Sequence, residues 1–121
     1  MTVQEQYELL EKTVRGYNPA ADFDHIRSAF EYADRCHEGQ KRKSGEPYII
    51  HPLAVAQIVA EELKLDSESI EAALLHDVIE DTPATHGDVA RMFSPTIANL
   101  VEGVSKLTRI QYATKEDEQM E

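Results

Sequence analysis

Apolar residues recur along most of this chain three and four positions apart, and sustained alternation is scarce, so the pattern predicts helices. Tyr7, Leu10 and Val14 mark one face of a first helix that ends near Gly16. Phe23, Ile26, Phe30 and Ala33 mark a second, running towards His37 with Gly39 as a stop signal. Gly45 and Pro47 break the pattern across residues 40–49. Pro52, a residue favoured in the first helical turn, opens a third helix with apolar positions Val55, Ile58, Val59 and Leu63. Asp66 or Ser67 caps a fourth, carrying Ile70, Ala73, Leu74 and Leu75. Thr85 and Asp88 have capping-box spacing and start a short helix ending near Phe93. Ser94, followed by Pro95, starts another with Ile97, Leu100, Val101 and Val104. The fold class expected is all-α with short connections.

Thr114 and Asp117 repeat the capping-box spacing, and residues 115–121 are rich in helix formers with almost no apolar face. Two turns without a buried side are marginal alone. The expectation is a helix whose buried part lies past residue 121, in a domain that is C-terminally truncated.

Composition narrows the class. A length of 121 residues suits one small domain with one core. No stretch approaches the ~18 apolar residues of a membrane span, and residues 1–7 lack the basic-then-apolar opening of a signal peptide. Cys36 is the single cysteine, which excludes an intrachain disulfide and fits a reducing compartment. These features predict a soluble cytoplasmic protein with no membrane contact. The formal charge of -11 argues against DNA or general nucleic-acid binding, which rests on Lys and Arg at phosphates. Yet Lys41, Arg42 and Lys43 are consecutive, a quarter of the 12 Lys and Arg. Such a knot in an acidic chain reads as a solvated loop or as a confined anion site.

The chemistry-bearing residues cluster near it. His76 and Asp77 end the fourth helix, and both are good ligands for first-row transition metals. The dipeptide alone carries almost no signal, since a His after Ala-Ala-Leu-Leu reads more readily as a core histidine. Glu80 and Asp81 follow four positions after His76 and Asp77, so one more helical turn would set each acid over one member of the pair. Metal-assisted hydrolysis uses such an acidic layer to orient or deprotonate water; the other reading is a solvated helix end before Pro83. His51, before Pro52, serves either as a local packing residue or as a ligand reaching across to the fourth helix. Two His and one Asp suit Mn, Fe or Zn better than Mg or Ca. His25, His37 and His86 read as structural or surface residues. Ser44 and Gly45 let main-chain amides approach an anion, and the Arg42 guanidinium can stack on a planar base. The sum suggests hydrolysis of a phosphate ester or anhydride.

Three motifs sharpen this. Residues 39–49 (GQKRKSGEPYI), then His51-Pro52 and Ala54-Val55-Ala56, resemble the opening motif of the RelA/SpoT-type hydrolase domain of the HD superfamily. Residues 72–77 (AALLHD), then Glu80-Asp81-Thr82, resemble its central motif. Residues 103–108 (GVSKLT) resemble the next. The resemblance runs from about residue 20 to 112, leaving 1–20 as a helical lead-in and 113–121 as the start of an unfinished helix. It implies an HD-domain helical bundle and Mn2+-dependent removal of the 3'-pyrophosphate from (p)ppGpp, giving GDP or GTP. It also implies metal ligands at His51, His76 and Asp77, water activation by Glu80 and Asp81, and nucleotide binding by Arg42, Lys43 and Ser44. A further Asp ligand and a nearby Asn are expected on a helix after the third motif, beyond residue 121, and a (p)ppGpp synthetase domain in the parent protein. The unfinished site makes activity of the fragment itself doubtful, and the apolar groove left by a missing helix invites a homodimer. Two alternatives remain: an HD phosphohydrolase acting on another nucleotide, and a non-catalytic regulatory nucleotide-binding module.

Overall fold

The computed structural model describes residues 2–103. The third motif from Val104 onward and the Thr114 helix start lie outside the described residues. Helix α1 spans Val3–Tyr17 and begins with a capping box: Thr2 Oγ1 accepts from the Glu5 amide, and the Glu5 side chain accepts from the Thr2 amide. Its buried residues are Tyr7, Leu10 and Val14, the stripe expected from the spacing. Helix α2 (Phe23–Cys36) is capped by Asp22 and buries Ile26, Ala29, Phe30 and Ala33. The rings of Tyr7 and Phe30 stack with centroids 4.4 Å apart, and Glu11 accepts from both the Tyr7 hydroxyl and Arg27. Helix α1 is thereby bolted to α2 and shares its core.

Helix α3 (Ile50–Ile58) starts two residues earlier than Pro52 and does not run on as one α-helix. Val59–Leu63 form a π-helical turn that stops at Lys64, whose φ of 49° is left-handed. Ile58 and Leu63, expected on the buried face, are 58% and 61% exposed, while Leu53, Ala56 and Ala60 are the buried positions of this segment. Gln57 ties this segment to α1 by donating to Thr13 Oγ1 at 2.8 Å.

Helix α4 (Ser67–Leu75) is the axis of the molecule. Asp66 Oδ1 caps it by accepting from the Ser69 amide at 2.9 Å. It packs against α2 on one side and α3 on another, so every residue from 70 to 75 is buried. Burying a side chain the size of Leu or Ile stabilises a fold by roughly 1.5–3 kcal/mol, and α4 supplies three of them in Ile70, Leu74 and Leu75. The same enclosure buries Glu71. Burial pushes its carboxyl up to about 8, and the charges of Asp22, Glu68 and Asp66 add to the shift. His25 Nδ1 on α2 abuts Glu71 Oε1 without regular hydrogen-bond alignment.

A short helix α5 (Val78–Asp81) follows α4 after a break at His76 and Asp77. Helix α6 (His86–Met92) begins with the expected Thr85–Asp88 capping box, and Phe93 beyond it packs edge-on against His25 and Tyr32. Helix α7 runs from residue 95 to the end of the described region, with Ser94 Oγ accepting from the Ile97 amide. Among the described residues there is no strand, only an isolated bridge between Lys41 and Pro47. No helix there is long and apolar enough to cross a membrane.

Candidate metal centre and anion loop

The packing of α3 on α4 brings the three suspected ligands together. His51 is the second residue of α3, while His76 and Asp77 form the turn where α4 ends. Asp77 Oδ2 lies 3.4 Å from His51 Nε2 and 3.2 Å from His76 Nε2, and the two rings sit 5.4 Å apart at 62°. One donor atom from each residue falls within 4.8 Å of the others. His76 is buried, and its Nδ1 donates to the Ala73 carbonyl at 2.6 Å, which turns Nε2 towards the centre.

Two ring nitrogens and a carboxylate oxygen aimed at one point repel unless a proton or a cation sits among them. Ligands held ~2.1 Å from a first-row metal lie roughly 3.0–3.4 Å from each other at octahedral or tetrahedral angles. The two Asp77 distances match that spacing, so the group is able to hold a divalent metal. The protonation balance follows the same geometry. Burial opposes charge on His76, but the hydrogen bond and the charge of Asp77 outweigh it and raise its pKa. Burial also works against the Asp77 carboxylate, yet His76, Tyr48 and His51 together hold its pKa below the ordinary value. At His51, burial together with the His76 and Arg42 charges outweighs Asp77 and Asp81, and its pKa falls. An imidazole kept neutral is one ready to bind metal.

The acidic pair is placed by α5. Asp81 Oδ2 accepts a hydrogen bond from the Tyr48 hydroxyl at 2.9 Å, and the same hydroxyl lies 3.0 Å from Asp77 Oδ2. Burial and these two carboxylates raise the Tyr48 pKa far above its usual value, so it stays a donor at any working pH. Glu80 stands on the exposed side of the same turn.

Residues 41–47 are all exposed and form a tight loop. Arg42 N donates to Glu46 O at 2.9 Å, Gly45 N to Arg42 O at 2.8 Å, and Tyr48 N to Gln40 O at 3.0 Å. Gly45 has a φ of 88°, a left-handed value that favours glycine. Lys41, Arg42, Lys43 and Ser44 line a cavity of about 640 Å³ with Tyr48 as a wall. That volume is in the range of small-ligand sites. Tyr48, a wall of this cavity, is also the residue whose hydroxyl reaches Asp77 and Asp81.

Comparison with known proteins places this arrangement. Residues 29–121 match the HD domain family, a span that holds every candidate residue from Arg42 to Asp81. The chain belongs to the HD domain family. The chain is 50% identical over 115 residues to the bifunctional (p)ppGpp synthase/hydrolase SpoT of Escherichia coli (strain K12), covering 95% of the chain and 16% of that protein. It is 52% identical over 97 residues to a GTP pyrophosphokinase of Myxococcus xanthus, covering 80% of the chain and 13% of the relative. The chain thus spans about a sixth or less of the curated relatives it matches. A solved structure described as a metazoan ortholog of SpoT that hydrolyzes ppGpp superposes with a TM-score of 0.62 at 36% identity, covering 64% of this chain and 46% of that one. The all-α bundle expected from the apolar spacing is the fold of the HD domain.

The structure brings His51, His76 and Asp77 together and links Asp81 to them. It sets Arg42, Lys43 and Ser44 along the neighbouring loop cavity. Tyr48 and Gln40 were given no role by the sequence, and His37 was read as a structural or surface residue. Tyr48 touches both carboxylates, Gln40 Nε2 donates to the Asp81 carbonyl at 2.7 Å, and His37 is buried against the Tyr48 ring. A tyrosine three positions before His51, on the same turn leading into α3, was the available signal. His25 faces Glu71, and His86 contacts Asn99 at 3.1 Å, so neither joins the metal group.

Proposed function

We propose that this HD domain is the hydrolase part of a (p)ppGpp 3'-pyrophosphohydrolase, releasing pyrophosphate and leaving GDP or GTP. The observation that carries the reading is the convergence of His51, His76 and Asp77 beside a basic loop, with Tyr48 joining that group to Asp81. The names of its relatives add the substrate class. His51, His76 and Asp77 would hold Mn2+. When bound, the metal polarises a phosphoryl oxygen and lowers the pKa of water. Glu80 and Asp81 orient the attacking water and one of the two carboxylates takes its proton, with Asp81 held in position by Tyr48. Arg42 and Lys43 neutralise the phosphate charge, Ser44 adds a hydroxyl donor, and the Arg42 guanidinium lies flat against the guanine. In the parent protein a (p)ppGpp synthetase domain accompanies this one. Cytoplasmic location agrees with the free thiol of Cys36.

The test is pyrophosphate release from ppGpp by the full-length protein with Mn2+, comparing the unmodified chain with His76→Ala. Loss of a metal contact worth several kcal/mol lowers kcat/KM by about two orders of magnitude or more. No release by the unmodified protein, or full activity in the variant, would sink the reading. A panel with other nucleotides separates it from a different HD phosphohydrolase.

A further inference from the structure

Tyr48 closes a circuit of contacts around the acidic turn. Its hydroxyl reaches Asp77 Oδ2 and Asp81 Oδ2 at 3.0 and 2.9 Å. Its ring lies against that of His37 with centroids 4.6 Å apart at 32°. His37 is 2% exposed, and its Nδ1 sits 3.0 Å from Gln40 Oε1. The other end of the Gln40 amide donates to the Asp81 carbonyl at 2.7 Å, and the Tyr48 amide returns to the Gln40 carbonyl at 3.0 Å. Two carboxylates that would otherwise repel are held at a fixed separation by one hydroxyl between them. One of those oxygens, Asp77 Oδ2, is the atom that faces both histidines. The neck of the basic loop is the Gln40–Tyr48 pair itself, so Arg42, Lys43 and Ser44 hang from the same clamp.

We infer that Tyr48 is a positioning residue: its hydroxyl fixes Asp77 and Asp81 relative to one another, and its backbone ties the anion loop to that spot. The inference deepens the hydrolase reading and rests on it for the catalytic half. Groups that hold metal ligands in place from outside typically contribute 10–100-fold to affinity or activity.

The experiment is Tyr48→Phe in the full-length protein, which keeps the ring on His37 and removes only the hydroxyl. Mn2+ affinity is measured by calorimetry, and kcat and KM by pyrophosphate release from ppGpp. The expected result is a Kd for Mn2+ weaker by about tenfold and a kcat lower by about tenfold or more, with KM within about twofold and little change in melting temperature. Tyr48→Leu, which also removes the ring, loses at least as much kcat and raises KM as the loop neck loosens. Equal Mn2+ affinity and equal kcat in Tyr48→Phe and the unmodified protein overturn the inference while leaving the hydrolase reading intact. If the unmodified protein binds Mn2+ but releases no pyrophosphate, the hydrolase reading fails, and the affinity arm still decides the role of Tyr48. Equal losses of melting temperature and activity in both variants assign Tyr48 to packing and overturn the inference as well.

Discussion

Replacing Glu71 with Gln gives a protein that is more stable at neutral pH and less dependent on pH. The carboxyl is 1% exposed on the α2 side of α4, and its pKa stands at about 8 against an ordinary 4.5. A carboxyl whose folded pKa is raised binds more protons folded than unfolded between those two values. Stability therefore falls as pH rises through that window, and the effect levels off only above the folded pKa. At 1.36 kcal/mol per unit, the penalty on folding grows from roughly 1 kcal/mol at pH 5 to roughly 3 kcal/mol at pH 7. Gln has nearly the same shape, carries no charge, and offers an N–H to His25 Nδ1. Urea unfolding of both proteins at pH 5, 6, 7 and 8 isolates the contribution of Glu71 and its contact with His25, because groups away from that contact cancel in the difference. The stability advantage of Glu71→Gln is expected to widen by about 2 kcal/mol between pH 5 and pH 7. The reasoning is refuted if the variant is less stable at every pH by a constant amount. That result would mean Glu71 is ionised and paired with a protonated His25, and breaking a buried ion pair costs about 3–5 kcal/mol.

Other outcomes follow from separate features. Leu10→Ala empties a fully buried position on α1 and is expected to cost about 2–5 kcal/mol by denaturant titration, showing that this first helix belongs to the core. Gly45→Ala meets no atom within 4 Å but must keep a φ of 88°, so it is expected to cost roughly 1–2 kcal/mol in loop conformation and, on the proposed hydrolase reading, to raise KM for ppGpp severalfold in initial-rate assays. On the proposed hydrolase reading, Arg42→Ala removes a charge-assisted contact to the nucleotide worth about 1.5–3 kcal/mol. It should raise KM for ppGpp by roughly tenfold or more and weaken the salt dependence of KM, both read from initial rates.

Much of the fold was legible because the information is local. The stripe of Tyr7, Leu10 and Val14, the Asp66 cap and the Thr85–Asp88 box each concern residues within one or two turns. The π-helical turn at Val59–Leu63 was not legible, since Val55, Ile58, Val59 and Leu63 repeat with the spacing of an unbroken α-helix. Glu71 gave no sign of its burial, because only the packing of α2 on α4 encloses that side of the helix. The site divides along the same line. His76-Asp77 and Glu80-Asp81 are visible as short-range clusters, and His51 joins them once α3 and α4 are neighbours. The work of Tyr48 and Gln40 depends on pairings 29 to 41 positions apart, which local spacing does not report beyond placing Tyr48 three positions before His51.

The buried run from 70 to 75 also sets a clock. Its C-terminal end leads straight into His76 and Asp77, so the backbone that carries those side chains is anchored to a helix whose last six residues are all buried. Regions with that many buried contacts open only with the whole fold, whereas exposed loops open at little free-energy cost. The ligand group and the loop of residues 41–47 therefore exchange amide hydrogens on widely separated timescales. A metal ion seated there would meet ligands whose backbone stays fixed between global openings, with the His51 and Asp77 side chains still partly open to solvent for its entry and exit.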